Sequence, residues 1–166
     1  MAGFHFQTLN REWPSKMTNS NWLWIWNADK IPPHIGISIQ KDYFSLTYKM
    51  AEFKQTLSMI KKAKRSAIPL LLVQIDDAFI QADATTSFQQ YSKAKVGGPT
   101  CLTPIKQLLG EGEQVNQLAE LLLSIEKRQN GLNVFALHLK EDYKQLPNYT
   151  VEEIMKRIGE LNDPKR

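Results

Sequence analysis

The sequence has only one cysteine, Cys101, and this scarcity excludes an intramolecular disulfide. A lone thiol is typical of proteins that work in a reducing compartment. The sequence also lacks an apolar run of the roughly 18 residues that a membrane span needs, and residues 1–16 lack the apolar centre of a signal peptide. We therefore expect a soluble, cytoplasmic protein without a transmembrane segment.

Repeats and low-complexity tracts are absent as well, and neither sign of charge dominates strongly. The 166 residues are 42% hydrophobic and 23% charged, with a formal net charge of +4. These values are close to those of ordinary globular domains and exclude a disordered or fibrous chain. They predict a single domain over residues 1–166, with a lead-in arm at 1–20 that holds a short strand near 4–8, and a loose tail at 162–166.

The stretch from residue 21 to residue 49 predicts an antiparallel meander of three strands. The aromatic run Trp22–Trp26 favours a strand, and the chain then turns. Pro32 and Pro33 hold the chain extended before a second strand over 34–39, in which the isoleucines alternate with His34, Gly36 and Ser38. After a turn at 40–42, residues 43–49 alternate again and form the returning strand.

The rest of the chain mixes helices with two more strands. Helical spacing of apolar residues predicts helices over 51–66, 76–91, 101–109, 113–129 and 151–161. A nearly continuous apolar run at 70–75 and a shorter segment at 132–139 predict strands. Thr150 and Glu153 have the spacing of a capping box that opens the last helix. The fold class is therefore α+β, an antiparallel sheet with helices packed on one side.

A nucleophilic cysteine is the most specific chemistry that the sequence offers. Cys101 opens a predicted helix, where partial positive charge favours the thiolate and lowers its pKa. His34 could act as its base if the fold brings the two together. Ser45 and Thr47 on the returning strand, or Gln40 in the turn, are the polar groups available to orient the imidazole.

The segments His34-Ile35-Gly36-Ile37 and Thr100-Cys101-Leu102, in this chain order, resemble the circularly permuted papain-like hydrolases. That group includes the lecithin:retinol acyltransferase-like and NlpC-type permuted enzymes. The resemblance covers about half of the chain, roughly residues 22–109. It implies a thiol hydrolase or acyltransferase that cleaves an amide, ester or thioester through an acyl-enzyme at Cys101, with His34 as the base and Thr47 or Ser45 as the third member.

Structural alternatives stay open for each of these residues. Cys101 could be a small buried hydrophobe and His34 a hydrogen-bonded structural histidine, in which case the chain would be a non-catalytic binding or adaptor protein.

A cluster of basic residues suggests a nucleic-acid or acidic partner, or simply a solvated helix end. That cluster consists of Lys61, Lys62, Lys64 and Arg65. We expect no cofactor and no metal, because His5 and His138 have no ligand at metal spacing.

Overall fold

The computed structural model describes residues 3–163, which contain six strands and five α-helices. The strands are β1 (Asn21–Trp26), β2 (His34–Ile39), β3 (Asp42–Leu46), β4 (Ala51–Gln55), β5 (Leu70–Ile75) and β6 (Val134–Leu137). The helices are α1 (Thr56–Arg65), α2 (Ala84–Gln89), α3 (Leu102–Leu108), α4 (Leu118–Gln129) and α5 (Val151–Leu161). Short 3-10 turns cover Met17–Asn19 and Asp77–Phe79.

The strands form one sheet in the order β4-β3-β2-β1-β5-β6, and every neighbouring pair is antiparallel. The predicted meander is therefore confirmed as β1-β2-β3, and β4 extends it by a fourth strand. In the β1-β2 register, Trp26 lies opposite His34, and in the β2-β3 register, Gly36 lies opposite Ser45. These registers bring His34 to the end of the sheet where β3 stops.

The sheet has two buried faces, because side chains alternate along each strand. The isoleucine face carries Ile25, Ile35, Ile37 and Leu46, and α2, α3, α4 and α5 pack against it. The tryptophan face carries Trp22, Trp24, Trp26, Tyr43, Leu70 and Leu72, and α1 covers it with Met59 and Ala63. The α+β class is confirmed, but the helices lie on both faces instead of one, because the tryptophan row is also apolar and needs its own cover.

The segment predicted as one helix over 51–66 is divided, which corrects the sequence interpretation. Ala51–Gln55 is a strand that pairs with β3, and α1 begins only at Thr56. The hydroxyl of Thr56 is buried and donates to the Gln40 carbonyl, which fixes the junction. Strand pairing along Asp42–Leu46 thus prevails over the helical spacing of the apolar residues.

Two other helices are shorter than their patterns predict. Residues 76–91 form a 3-10 turn and then α2, which begins after Asp83 because that carboxylate accepts a hydrogen bond from the Thr86 N–H. Helix α4 begins at Leu118 rather than near residue 113. By contrast, α5 starts as predicted, with Thr150 Oγ1 accepting from the Glu153 N–H at 3.1 Å.

The described part of the lead-in arm is packed against the rest of the chain. Phe4 and Phe6 are buried, and an isolated bridge between His5 and Gln145 stands where a short strand was predicted. Asn10 forms a parallel bridge with Phe135, so the arm covers part of the outer edge of β6. Residues 1–2 of the arm and residues 164–166 of the predicted tail lie outside the described residues.

Candidate functional site

A pocket of about 740 Å³ lies where β2 begins and β3 ends. The loop before β2 supplies Ile31 and Pro32, the two strands supply His34 and Leu46, and α5 closes the opposite side. Thr47, Glu52, Thr100, Cys101 and Tyr149 complete much of the wall. The pocket is thus walled by segments from four parts of the chain, including both residues predicted to react.

Cys101 directly precedes α3, as predicted, and it is a free and only partly exposed thiol. Its side chain packs against the isoleucine face. Burial raises the pKa of the Cys101 thiol above its ordinary value of 9.0, although the nearby backbone N–H groups of Ile35, Cys101 and Leu102 oppose the rise. The lowering expected from the helix N-terminus is therefore not found, because desolvation outweighs the backbone dipoles.

His34 is the first residue of β2, and its side chain belongs to the tryptophan face. It lies opposite Trp26 in the register, and directly opposed residues of antiparallel strands share a face. Burial lowers the pKa of His34 to about 4, and the nearby positive charge of Lys62 on α1 adds to the lowering. At neutral pH the imidazole is therefore uncharged, and its surroundings disfavour the protonated form.

The structure brings His34 and Cys101 to the same pocket without joining them. Cys101 contacts the isoleucine face while His34 starts from the tryptophan face, and no hydrogen bond between them occurs within residues 3–163. The pocket reaches both faces because it lies beyond the end of β3, where the sheet no longer separates them.

The two hydroxyls predicted as third members differ in where they lie. Thr47 lines the pocket, but its Oγ1 donates to the Met50 carbonyl and accepts from the Lys49 and Met50 N–H groups, so it organises the β3-β4 turn. Ser45 does not line the pocket. Its Oγ is buried near the Tyr43 hydroxyl, whose pKa is raised by burial, and it makes no hydrogen bond within the described residues.

Glu52 is a pocket residue that the sequence interpretation missed. It lies on β4 opposite Ser45 and lines the same pocket as His34. Its carboxylate makes no hydrogen bond or ion pair within the described residues. The alternation of apolar Ala51 and Phe53 with polar Glu52 and Lys54 is the signal that could have revealed this strand.

Helix α5 is the second contribution that the sequence did not reveal. Ile154, Ile158 and Leu161 give the pocket an apolar wall, and Arg157 adds a cation near its rim. Arg157 is about half exposed and has only a loose ion pair of 3.6 Å with Glu160. Ile158 is the one residue of α5 that is buried, so the helix rests on the pocket by a narrow contact.

The remaining predictions concern metals, membranes and basic partners. Residues 3–163 contain no group of three His, Cys, Asp or Glu side chains that could hold a metal ion. None of the helices in the described part of the chain is long and apolar enough to cross a membrane. Lys61, Lys62, Lys64 and Arg65 are exposed on α1, on the outer side of the tryptophan face.

Comparison of the chain with protein-family models, with curated proteins and with solved structures found no match.

Proposed function

We propose that the chain is a cysteine-dependent hydrolase or acyltransferase that acts on an amide, ester or thioester, with Cys101 as nucleophile and His34 as base. The observation that carries the proposal is that these two residues, far apart in sequence, line one pocket large enough for a small substrate. The resemblance of their flanking segments to permuted papain-like hydrolases supports the same roles.

The pKa directions favour a neutral pair instead of a preformed thiolate and imidazolium. The thiol holds its proton at neutral pH, and the unprotonated His34 accepts it as the sulfur attacks the carbonyl carbon. The carbonyl oxygen then carries negative charge, and the Cys101 backbone N–H at the start of α3 is a suitable donor to it. Collapse of the tetrahedral intermediate expels the leaving group with the His34 proton and leaves an acyl thioester at Cys101.

Glu52 is proposed as the group that assists His34, because Thr47 Oγ1 is engaged in the turn and Ser45 is outside the pocket. A carboxylate stabilises the imidazolium that forms transiently during attack. Glu52→Gln should therefore slow acylation by about a hundredfold, the lower end of what a positioned acid or base contributes. Glu113→Gln is the matched control, because Glu113 is exposed and does not line the pocket.

Trapping of the acyl-enzyme tests the proposal directly. The protein is incubated with p-nitrophenyl esters, acyl thioesters and anilides, and the intact mass and modified peptide are read by mass spectrometry. We expect an acyl adduct on Cys101 that is absent in Cys101→Ala and strongly reduced in His34→Gln. The enzymatic function would be refuted if no adduct forms with any of the three substrate classes while the melting curve shows that the protein is folded.

A non-catalytic binding protein is the second candidate. The raised pKa of Cys101, the lowered pKa of His34 and the lack of a hydrogen bond between them favour it. In that case the pocket holds a small ligand that contacts both the apolar side chains of α5 and Arg157 on the same helix. Ligand-induced protection of Cys101 from alkylation, with no turnover, would support binding over catalysis.

The basic residues of α1 are proposed to contact a nucleic acid or another acidic surface. Lys61, Lys64 and Arg65 are exposed and form none of the ion pairs found within residues 3–163. Binding to a single-stranded oligonucleotide that weakens steeply with salt, and weakens further in Lys61→Ala, would support this role. Because a free thiol is best preserved under reducing conditions, we propose that the chain works in the cytoplasm.

A further inference from the structure

A second cleft, of about 730 Å³, opens on the tryptophan face and shares no wall residue with the pocket of Cys101. One wall comes from the lead-in arm between Leu9 and Ser15, and the other comes from the ends of β1, β5 and β6. Helix α1 covers the tryptophan face elsewhere, but the described residues leave this end open.

A continuous chain of hydrogen-bonded side chains lines the cleft. Asn10 Nδ2 donates to Asn133 Oδ1 at 3.2 Å, and Asn133 Nδ2 donates to Gln74 Oε1 at 2.8 Å. Gln74 Nε2 then donates to Ser20 Oγ at 3.3 Å. Each side chain is held in place by its neighbour, so the polar groups are oriented before any ligand enters.

This series of hydrogen-bonded side chains leaves some of its N–H and O–H donors and some of its oxygen acceptors unused. An amide group offers two N–H donors and an oxygen with two acceptor positions. Asn133 and Gln74 each use one N–H within the chain of side chains, and the Ser20 hydroxyl only accepts there. Asn10 Oδ1 accepts no hydrogen bond within residues 3–163. A ligand that both donates and accepts at closely spaced positions, as a row of hydroxyl groups does, matches this arrangement.

Aromatic side chains form the other part of the wall. Trp13 and Phe135 are partly exposed in the cleft, and the buried Trp22 supports Phe135 edge to face with ring centroids 5.6 Å apart. Lys64 lies 5.1 Å above the Trp13 ring and holds it. Such rings offer flat apolar surface to the C–H groups of a cyclic ligand.

The charges at the cleft favour an uncharged ligand. The charged residues among those lining it are Arg11 and Glu12. The Arg11 guanidinium donates to the carbonyls of Lys140, Glu141 and Tyr143 and is therefore committed to the protein. Glu12 carries the opposite charge to Arg11, and the Lys64 ammonium is placed over the Trp13 ring, so the cleft has no cluster of charges of one sign that would select an ionic ligand.

We propose that this cleft binds an uncharged saccharide, with a sugar ring packed against Trp13 and Phe135 and its hydroxyls paired with Asn10, Gln74 and Asn133. A sugar-binding site needs two features. One is a flat ring that contacts the C–H face of the sugar, and the other is a set of oriented amides that pair with its hydroxyls. The site is separate from the chemistry of Cys101, so it stands whether or not the chain is an enzyme.

Titration with maltotriose, cellotriose and tri-N-acetylchitotriose tests the proposal, with calorimetry and tryptophan fluorescence as readouts. We expect saturable binding of at least one trisaccharide, with a fluorescence change because Trp13 and Trp22 line the cleft. Asn133→Ala removes two links of the hydrogen-bonded chain and should weaken binding about tenfold. Asn116→Ala is the matched control, because Asn116 is exposed outside the cleft.

Trp13→Ala provides an independent variant in case Asn133→Ala perturbs folding, and melting curves of both variants establish that they are folded. The proposal is overturned if none of the three trisaccharides binds. It is equally overturned if binding is unchanged in both variants, or if an uncharged peptide such as N-acetyl-triglycine amide binds where the trisaccharides do not.

Discussion

Trp26 Nε1 donates a hydrogen bond of 2.8 Å to the Tyr43 hydroxyl, and the bond passes from β1 to β3 across the intervening strand β2. It crosses β2 beside Gly36, where an added Cβ would collide with the Tyr43 hydroxyl. Tyr43 fills the space beside Gly36. The absence of a side chain at this position lets two large aromatic residues meet over the middle of the sheet.

Gly36→Ala is expected to destabilise the fold by about 1–3 kcal/mol, the usual range for overpacking a core. The new methyl group displaces the buried Tyr43 ring and breaks its hydrogen bond with Trp26. Chemical denaturation measures the change in the free energy of unfolding. Gly159→Ala is the matched control, because its Cβ meets Val96 at an ordinary 3.5 Å and alanine favours the helix, which should stabilise by up to about 1 kcal/mol.

The pH dependence of stability should reveal the buried state of His34. The folded pKa is about 4 and the ordinary value is 6.5, so between these values the unfolded chain binds a proton that the folded chain does not. Stability therefore rises with pH across this window, by at most about 3 kcal/mol. The difference in unfolding free energy between the native protein and His34→Gln should grow from pH 4 to pH 6.5.

His5→Gln controls for the loss of a histidine in general, because His5 is exposed. A constant difference between the native protein and His34→Gln over this pH window would show that His34 is not desolvated in the folded chain.

Alkylation of Cys101 by iodoacetamide should be slow near neutral pH and should accelerate only above pH 9.0, because burial raises the pKa of the thiol. Replacement of His34 by alanine should leave the rate at pH 6 unchanged, since no hydrogen bond joins the two groups in the described part of the chain. Rapid alkylation at pH 6 that disappears in His34→Ala would instead demonstrate a thiolate–imidazolium pair.

Access to the pocket should depend on the contact that α5 makes through Ile158. Ile158→Ala removes most of the buried side chain of this helix, and such truncations cost about 2–5 kcal/mol in a well-packed core. We expect α5 to open more often and Cys101 alkylation to become about tenfold faster. Lys156→Ala, at an exposed position of the same helix, should have no effect. Equal rates in the two variants would mean that α5 does not limit entry to the pocket.

The fold was predictable where one local pattern dominated. The alternation in residues 34–39 and the apolar run at 70–75 specify β2 and β5, and Thr150 with Glu153 specifies the start of α5. Residues 51–55 show how such patterns fail, because the sequence Ala-Glu-Phe-Lys-Gln fits both a helix and a strand. Only pairing with β3, a contact between separate segments, decides in favour of the strand.

Two members of the candidate site, His34 and Cys101, were predictable from the sequence, but Glu52, the residues of α5 and the electrostatics of the site were not. The positions of His34 at a strand start and Cys101 before a helix were read from the sequence, and both line the pocket. The pKa of each group depends on burial, and Lys62 adds to the shift of His34. That burial is produced by segments distant in sequence, one of which is α5. It therefore cannot be predicted from a local sequence pattern.

The bridge between Asn10 and Phe135 joins the beginning of the described chain to its last strand. Phe4 and Phe6 likewise bond with the segment around Leu146 and Lys144. The arm is therefore made well before its partners, and during synthesis it stays unpaired until residues 134–146 have emerged. Contacts of such long sequence separation are slow to form, so we expect the outer edge of the sheet to close late in folding.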